Sequence, residues 1–142
     1  MNNLNDNLKK ALNLFNSRKY DDAKLILLDL IKDLNVDKKV YFLLYEIFIK
    51  LNESQNAKKY LKKFIELDNK NHIGLNNLAN IYLKERKTDK AEKLYLRAVE
   101  SKQDYLTGII NLAVFYQGMG DNKSAKKFSI IKTYTFTKLL LL

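Results

Sequence analysis

Ala23, Ala57, Ala91 and Ala125 stand 34 residues apart in one phase. A small residue recurring at one helical position lets two helices approach closely. A period of this length calls for stacked helix–turn–helix units, because one such unit cannot bury its apolar face alone. The pattern is fullest around Ala91. Leu75, Leu78, Ala79 and Tyr82 fit one face of a first helix, and Ala91, Tyr95 and Ala98 fit one face of a second.

The phase divides residues 1–142, read as a single domain, into units at 4–37, 38–71, 72–105 and 106–139. The first opens with a helix from about Leu4 to Asn16 carrying Leu8, Ala11, Leu12, Leu14 and Phe15, then turns at 17–20. Asp21 and Asp22 suit the positive end of the next helix, which buries Ala23, Leu27, Leu30 and Ile31. Asn35 is the expected left-handed stop. In the second unit Tyr41, Leu44, Tyr45 and Phe48 face inward against Ala57, Leu61 and Phe64, with Ser54 as N-cap. In the third, Thr88 is the expected N-cap, and His72, the only histidine, an exposed residue at a helix start. The fourth begins in register with Ile109, Leu112, Ala113 and Tyr116, turns at 118–121, and takes Asn122 as cap before Ala125. Ser129 and Lys132 then replace Tyr95 and Ala98, so 128–142, β-branched and alternating before its closing leucines, reads as an irregular apolar tail. Docking on the last helix pair, pairing with another chain and fraying all stay open for it.

Composition narrows the class. The chain has no proline and 46% hydrophobic residues at helical spacing, which points to an all-α protein. Without cysteine there are no disulfides, thiolate metal sites or cysteine nucleophiles. The opening residues lack the build of a secretory signal, and no apolar run is long enough to span a bilayer; the expected location is the cytoplasm, with no membrane insertion. The net charge of +10 raises nucleic acid as a lesser alternative partner. Against it, arginine occurs only at 18, 86 and 97, and bidentate contacts to bases and phosphates favour arginine. Lys58, Lys59, Lys62 and Lys63 read as the solvated outer side of a second helix. There is no glycine-rich phosphate loop, nucleophile setting or metal-ligand cluster, so no catalytic residue, metal or cofactor is expected and the chain is not read as an enzyme.

The period and the positions Leu75, Leu78, Ala79, Tyr82, Ala91, Tyr95 and Ala98 resemble the tetratricopeptide repeat. The resemblance covers residues 4–139, with Asn35, Asn69 and Gln103 where the family often has proline and an eroded fourth copy. It implies a right-handed α-solenoid of antiparallel helix pairs whose first helices line a concave groove. It also implies a non-catalytic interaction module, an adaptor, scaffold or assembly chaperone, that holds an extended peptide or short helix. Carried over by position, the groove residues are Lys39, Phe42, Leu43, Glu46 and Lys50 in the second repeat. The third contributes Asn76, Asn77, Asn80 and Lys84, and the fourth Ile110, Asn111 and Val114. Asparagine amides can pair both polar groups of an extended backbone, and the apolar members can accept anchors. The carboxylate clamp of tetratricopeptide co-chaperones is not matched: Asn77 and Asn111 fall on its sites, but its cationic members are missing. Self-association through the apolar tail is a further expectation.

Overall fold

The computed structural model describes residues 2–33 and 36–140. Asn35, read as a helix stop, lies outside them, as do Leu141 and Leu142 of the tail. The described residues form eight helices and no strand. They are α1 (Asn2–Asn16), α2 (Tyr20–Leu30), α3 (Lys38–Lys50), α4 (Ser54–Leu67), α5 (His72–Lys84), α6 (Thr88–Ser101), α7 (Leu106–Gly118) and α8 (Asn122–Leu140). Each repeat is one helix pair, as the period requires, and the chain forms two compact units, Met1–Asp68 and Asn69–Leu142.

The turn inside each pair is the same object four times. Arg18, Asn52 and Arg86 have φ of 59° and Gly120 has φ of 78°, one left-handed residue at every repeat. The amide of the following residue then donates back to the first helix: Lys19 to Leu14, Glu53 to Phe48, Lys87 to Tyr82 and Asp121 to Tyr116, all at 2.9–3.0 Å. This closure satisfies carbonyls that a helix end would otherwise leave open. The carbonyls of Lys19, Glu53, Lys87 and Asp121 in turn accept from the amides of Ala23, Ala57, Ala91 and Ala125. The periodic alanine therefore sits on the first full turn after the reversal. Ala23, Ala57 and Ala91 are completely buried, whereas Ala125 is half-buried.

Ser54, Thr88 and Asn122 are first helical residues and not N-caps, which corrects the sequence expectation. The cap positions are Glu53 and Lys87, without a side-chain cap bond, and Asp121. The Asp121 carboxylate accepts from the Ser124 amide at 3.1 Å, and its hydrogen bonds to Ser124 hold its pKa below the usual range. The longer links between repeats do use side chains. Asp37 caps the Lys39 amide at 2.8 Å and Asn71 caps the Gly74 amide at 3.0 Å. Tyr105, at the same repeat position, caps nothing; its ring fills the space that a Cβ on the buried Gly108 would need. That ring also meets His72 edge-on, 4.6 Å between centroids, so His72 is half-buried rather than exposed.

Within the first unit Ala11, Leu27, Leu44, Ile47 and Leu61 are fully buried. Phe48 stacks on Tyr60 at 5.3 Å. Within the second, Leu75, Ala79, Ala98, Ile109 and Leu112 form the interior, and Tyr95 packs against Phe115 at 5.7 Å. Tyr116 of α7 stacks on Phe128 of α8 and donates its hydroxyl to the Glu92 carboxylate of α6 at 2.7 Å. Burial first, and then Glu92, raise the Tyr116 phenol to about 12.

The tail is the main departure from the sequence reading. Residues 128–140 are helical, the continuation of α8, rather than irregular. Its threonines resolve the conflict between β-branched composition and helix: the Thr133 hydroxyl donates to the Ser129 carbonyl and the Thr137 hydroxyl to the Thr133 carbonyl, each one turn back. Phe128 and Thr135 are buried, so the strand-like alternation is overridden by packing on α7.

Two outcomes follow. Ala57→Leu or Ala91→Leu overpacks a closed contact and should lower unfolding free energy by about 1–3 kcal/mol in urea melts. Ala125→Leu should lower it clearly less, and equal losses would mean the fourth pair closes as tightly as the others. Because the folded-state pKa of Tyr116 is raised, its contribution is complete below the ordinary phenol value of 10 and disappears as pH climbs through about 12. Tyr116→Phe should flatten that alkaline loss in thermal melts; an unchanged alkaline limb would show that the bond to Glu92 carries none of it.

Candidate partner-binding surface

The outward face of the first helices is what the sequence nominates, and it differs between the two units. In the first unit, Lys39 and Lys50 are exposed at the two ends of α3. Phe42 is half-buried, its ring 4.9 Å from Phe64 and 5.6 Å from Tyr45, so it packs within the unit while keeping one edge in water. Leu43 is 5% exposed and belongs to the core; the nomination of Leu43 as a contact residue is corrected by its burial. Glu46 is half-buried on the same face. Loss of hydration raises its pKa, and Lys50 one turn on only partly offsets this. Ile49 adds an exposed apolar side chain beside Lys50.

In the second unit the asparagines divide into separate roles. Asn76 is 2% exposed, and its amide oxygen accepts from Asn111 Nδ2 at 3.0 Å, tying α5 to α7. Asn80 accepts from the Tyr95 hydroxyl, tying α5 to α6. Both were expected to meet a partner; Asn76 is buried with its oxygen bonded inside the unit, and Asn80 is half-buried with its oxygen on Tyr95 and its amide nitrogen left over. Asn77 is half-buried and makes no side-chain hydrogen bond among the described residues, so both of its amide groups are available. Asn111 keeps its amide oxygen. Around them stand exposed Ile73 and Lys84, Val114 at 60% exposure, and half-buried Ile110.

The Asn76–Asn111 bond was not foreseen, although a signal for it existed. Asn76 shares its repeat position with Phe42 and Ile110, so it is a polar residue in an apolar register, which asks for a buried partner. The lysines of α4 stand as expected: Lys59, Lys62 and Lys63 are exposed and Lys58 half-buried, with Lys63 bonded to Glu66 at 2.8 Å and Lys59 over the Tyr60 ring. Among the described residues there is no cluster of three metal-ligating side chains and no helix long and apolar enough to cross a membrane.

Two tetratricopeptide-repeat family profiles match the sequence, one over residues 39–71 and one over 60–93. The first coincides with the second repeat. The second has the same period in a different phase, entering within α4 and leaving within α6. No curated protein matches by sequence. Among solved structures, MamA superposes with a TM-score of 0.89 at 20% identity over 99% of this chain and 82% of its own. PilF of Pseudomonas aeruginosa gives 0.79 at 17%, covering 90% of this chain and 59% of its own. YrrB, described as a TPR protein with an unusual peptide-binding site, gives 0.74 at 15%, covering 88% and 64%. At these identities the likeness is one of fold: an all-α solenoid of helix pairs.

Glu46 gives the surface a testable acid response. Its folded-state pKa is raised, so the folded protein takes up the proton first, and stability increases as pH falls from above that value towards the ordinary 4.5. Glu46→Gln removes the cost of holding the charge there. It should raise Tm at neutral pH and erase that part of the acid-side gain; a lower Tm at neutral pH would mean the carboxylate is stabilising as it stands.

Proposed function

We propose, from the premise that this chain is a tetratricopeptide-repeat protein and hence a protein–protein interaction module, that it is non-catalytic and binds an extended peptide or short helix. The binding surface lies on the first-helix face of residues 69–142. The role this serves is that of an adaptor, scaffold or assembly chaperone.

The observation that carries the reading is the state of Asn77. It is a half-buried amide with no side-chain hydrogen bond among the described residues, one turn from Ile73 and two turns from Lys84 on α5, with Asn111 and Val114 on α7. Folding leaves a donor and an acceptor unspent there, flanked by exposed aliphatic groups. An extended main chain offers the complementary acceptor and donor, and its side chains can cover Ile73 and Val114. Burying such apolar groups contributes about 25 cal/mol per Å² before ordering costs, enough to fix a peptide's register without dominating affinity. The peptide-binding site named for YrrB, a protein of the same fold, is consistent with this class of ligand.

The hydrogen bonding also selects the variants. Asn111→Ala would strand the buried Asn76 oxygen, a cost of about 1–3 kcal/mol, and confuses binding with folding. Asn77→Ala and Val114→Asp leave internal bonds intact. Peptides selected on the purified protein from a displayed random library should bind each variant at least about tenfold more weakly at unchanged Tm, a loss on the order of 1.4 kcal/mol. Undiminished binding by both variants would remove this face as the site.

A further inference from the structure

Over residues 129–140 helix α8 leaves an uncharged face in solvent, and Lys123 and Lys126 continue the same stripe nearer its start. Ile130 and Tyr134 are one turn apart and 61% and 72% exposed; Phe136 and Leu140, again one turn apart, are 52% and 70% exposed. Thr133 and Thr137 lie between the two pairs at helical spacing, and their hydroxyls are spent on the helix's own carbonyls. The opposite side, with Phe128 and Thr135, is the side buried on α7. Among the described residues, these apolar side chains are the ones that packing on α7 leaves exposed.

Length and charge mark α8 further. It runs for 19 residues where the second helices α4 and α6 run for 14. Ser101, the last residue of α6, corresponds to Thr135, so residues 136–140 extend the helix beyond its repeat, and Phe136 and Leu140 stand on that extension. Its charges are Lys123, Lys126, Lys127, Lys132 and Lys138, with no acidic residue. None of these lysines forms a salt bridge among the described residues, and Lys127 lies over the Phe128 ring. An uncharged face with Lys132 and Lys138 at its edges, Lys123 and Lys126 continuing its stripe, and a tyrosine and a phenylalanine on it suits contact with the boundary layer of an anionic bilayer.

Charge decides between occupants. A second copy of this chain, itself at +10, would set the lysines of one α8 against those of the other in a symmetric pairing. A nucleic acid would answer the lysines but would leave Ile130 and Leu140 facing phosphate and sugar. An anionic membrane surface answers both, drawing the lysines to its headgroups and accepting the four apolar side chains between them. We infer that α8 is a peripheral membrane-binding helix whose exposed face, Ile130, Tyr134, Phe136 and Leu140, lies on an anionic lipid surface without crossing it.

The chain contains no tryptophan, so Tyr134→Trp introduces a single reporter. The full-length variant would be titrated with phosphatidylcholine vesicles and with vesicles carrying about 30% phosphatidylserine. The expected result is a blue-shifted, brighter emission with the anionic vesicles, reversed by added salt and nearly absent with the neutral ones. Wild-type protein should co-sediment with the anionic vesicles, and Phe136→Asp, a substitution in solvent whose Tm serves as the folding control, should bind at least about tenfold more weakly. No shift with anionic vesicles, or undiminished sedimentation of Phe136→Asp, overturns the inference. So does a concentration-dependent dimer abolished by Phe136→Asp, which gives the face to a second copy, or single-stranded oligonucleotide binding with the same dependence, which gives it to nucleic acid.

Discussion

The left-handed residue at each turn is the constraint on which the helix pairs depend. Placing a side chain at φ near 59° costs about 1 kcal/mol, and Arg18, Asn52 and Arg86 accept that cost because the closure returns two things. It satisfies the ends of the first helix, and it delivers the chain to an alanine whose amide is already paired with the turn. With so few residues between the helices, the second helix starts close to the first, and a small side chain suits that point. In the first three copies the contact is closed over Ala23, Ala57 and Ala91, whereas the same turn leaves Ala125 half-buried. The turn brings the helices together, and packing of the pair decides how little room the alanine has.

This explains what could be read in the sequence and what could not. The alanine phase and the apolar faces give the helix pairs directly, since both are side-chain properties with a helical period. The turns hid their conformation because arginine and asparagine occupy the left-handed position and only the fourth repeat shows glycine there. Capping was misplaced by one residue for a related reason: with the closure supplying partners, Ser54 and Thr88 are free to enter the helix. The tail failed differently. Isoleucine, threonine and tyrosine in alternation suit a strand, but an edge strand here would have no sheet to join, whereas α7 offers Tyr116 to Phe128.

At the candidate surface, position was legible and availability was not. Twelve positions could be nominated from the family pattern, yet whether an asparagine faces a ligand or its own neighbours depends on what stands across from it. Asn76, Asn77 and Asn80 occupy adjacent turns of one helix and meet three different fates: buried with Asn111, unpaired, and bonded to Tyr95. Leu43 was drawn inward in the same way, while Val114, from the equivalent place in the pattern to Asn80, stayed out. A polar group in an apolar register is the cue that separates them, because burial obliges it to find a partner.

The amide pair between α5 and α7 also bears on how such a chain can be rearranged. Repeat arrays invite gain, loss and exchange of copies, since each copy meets its neighbour through the same kind of contact. Here the third and fourth copies have become specific to one another. A duplicate of the second copy set before the fourth would bring Phe42 to the place of Asn76 and leave the Asn111 side chain donating to an aromatic ring. Moving the third and fourth copies together would keep that amide pair whole, whereas replacing either one alone would strand its partner.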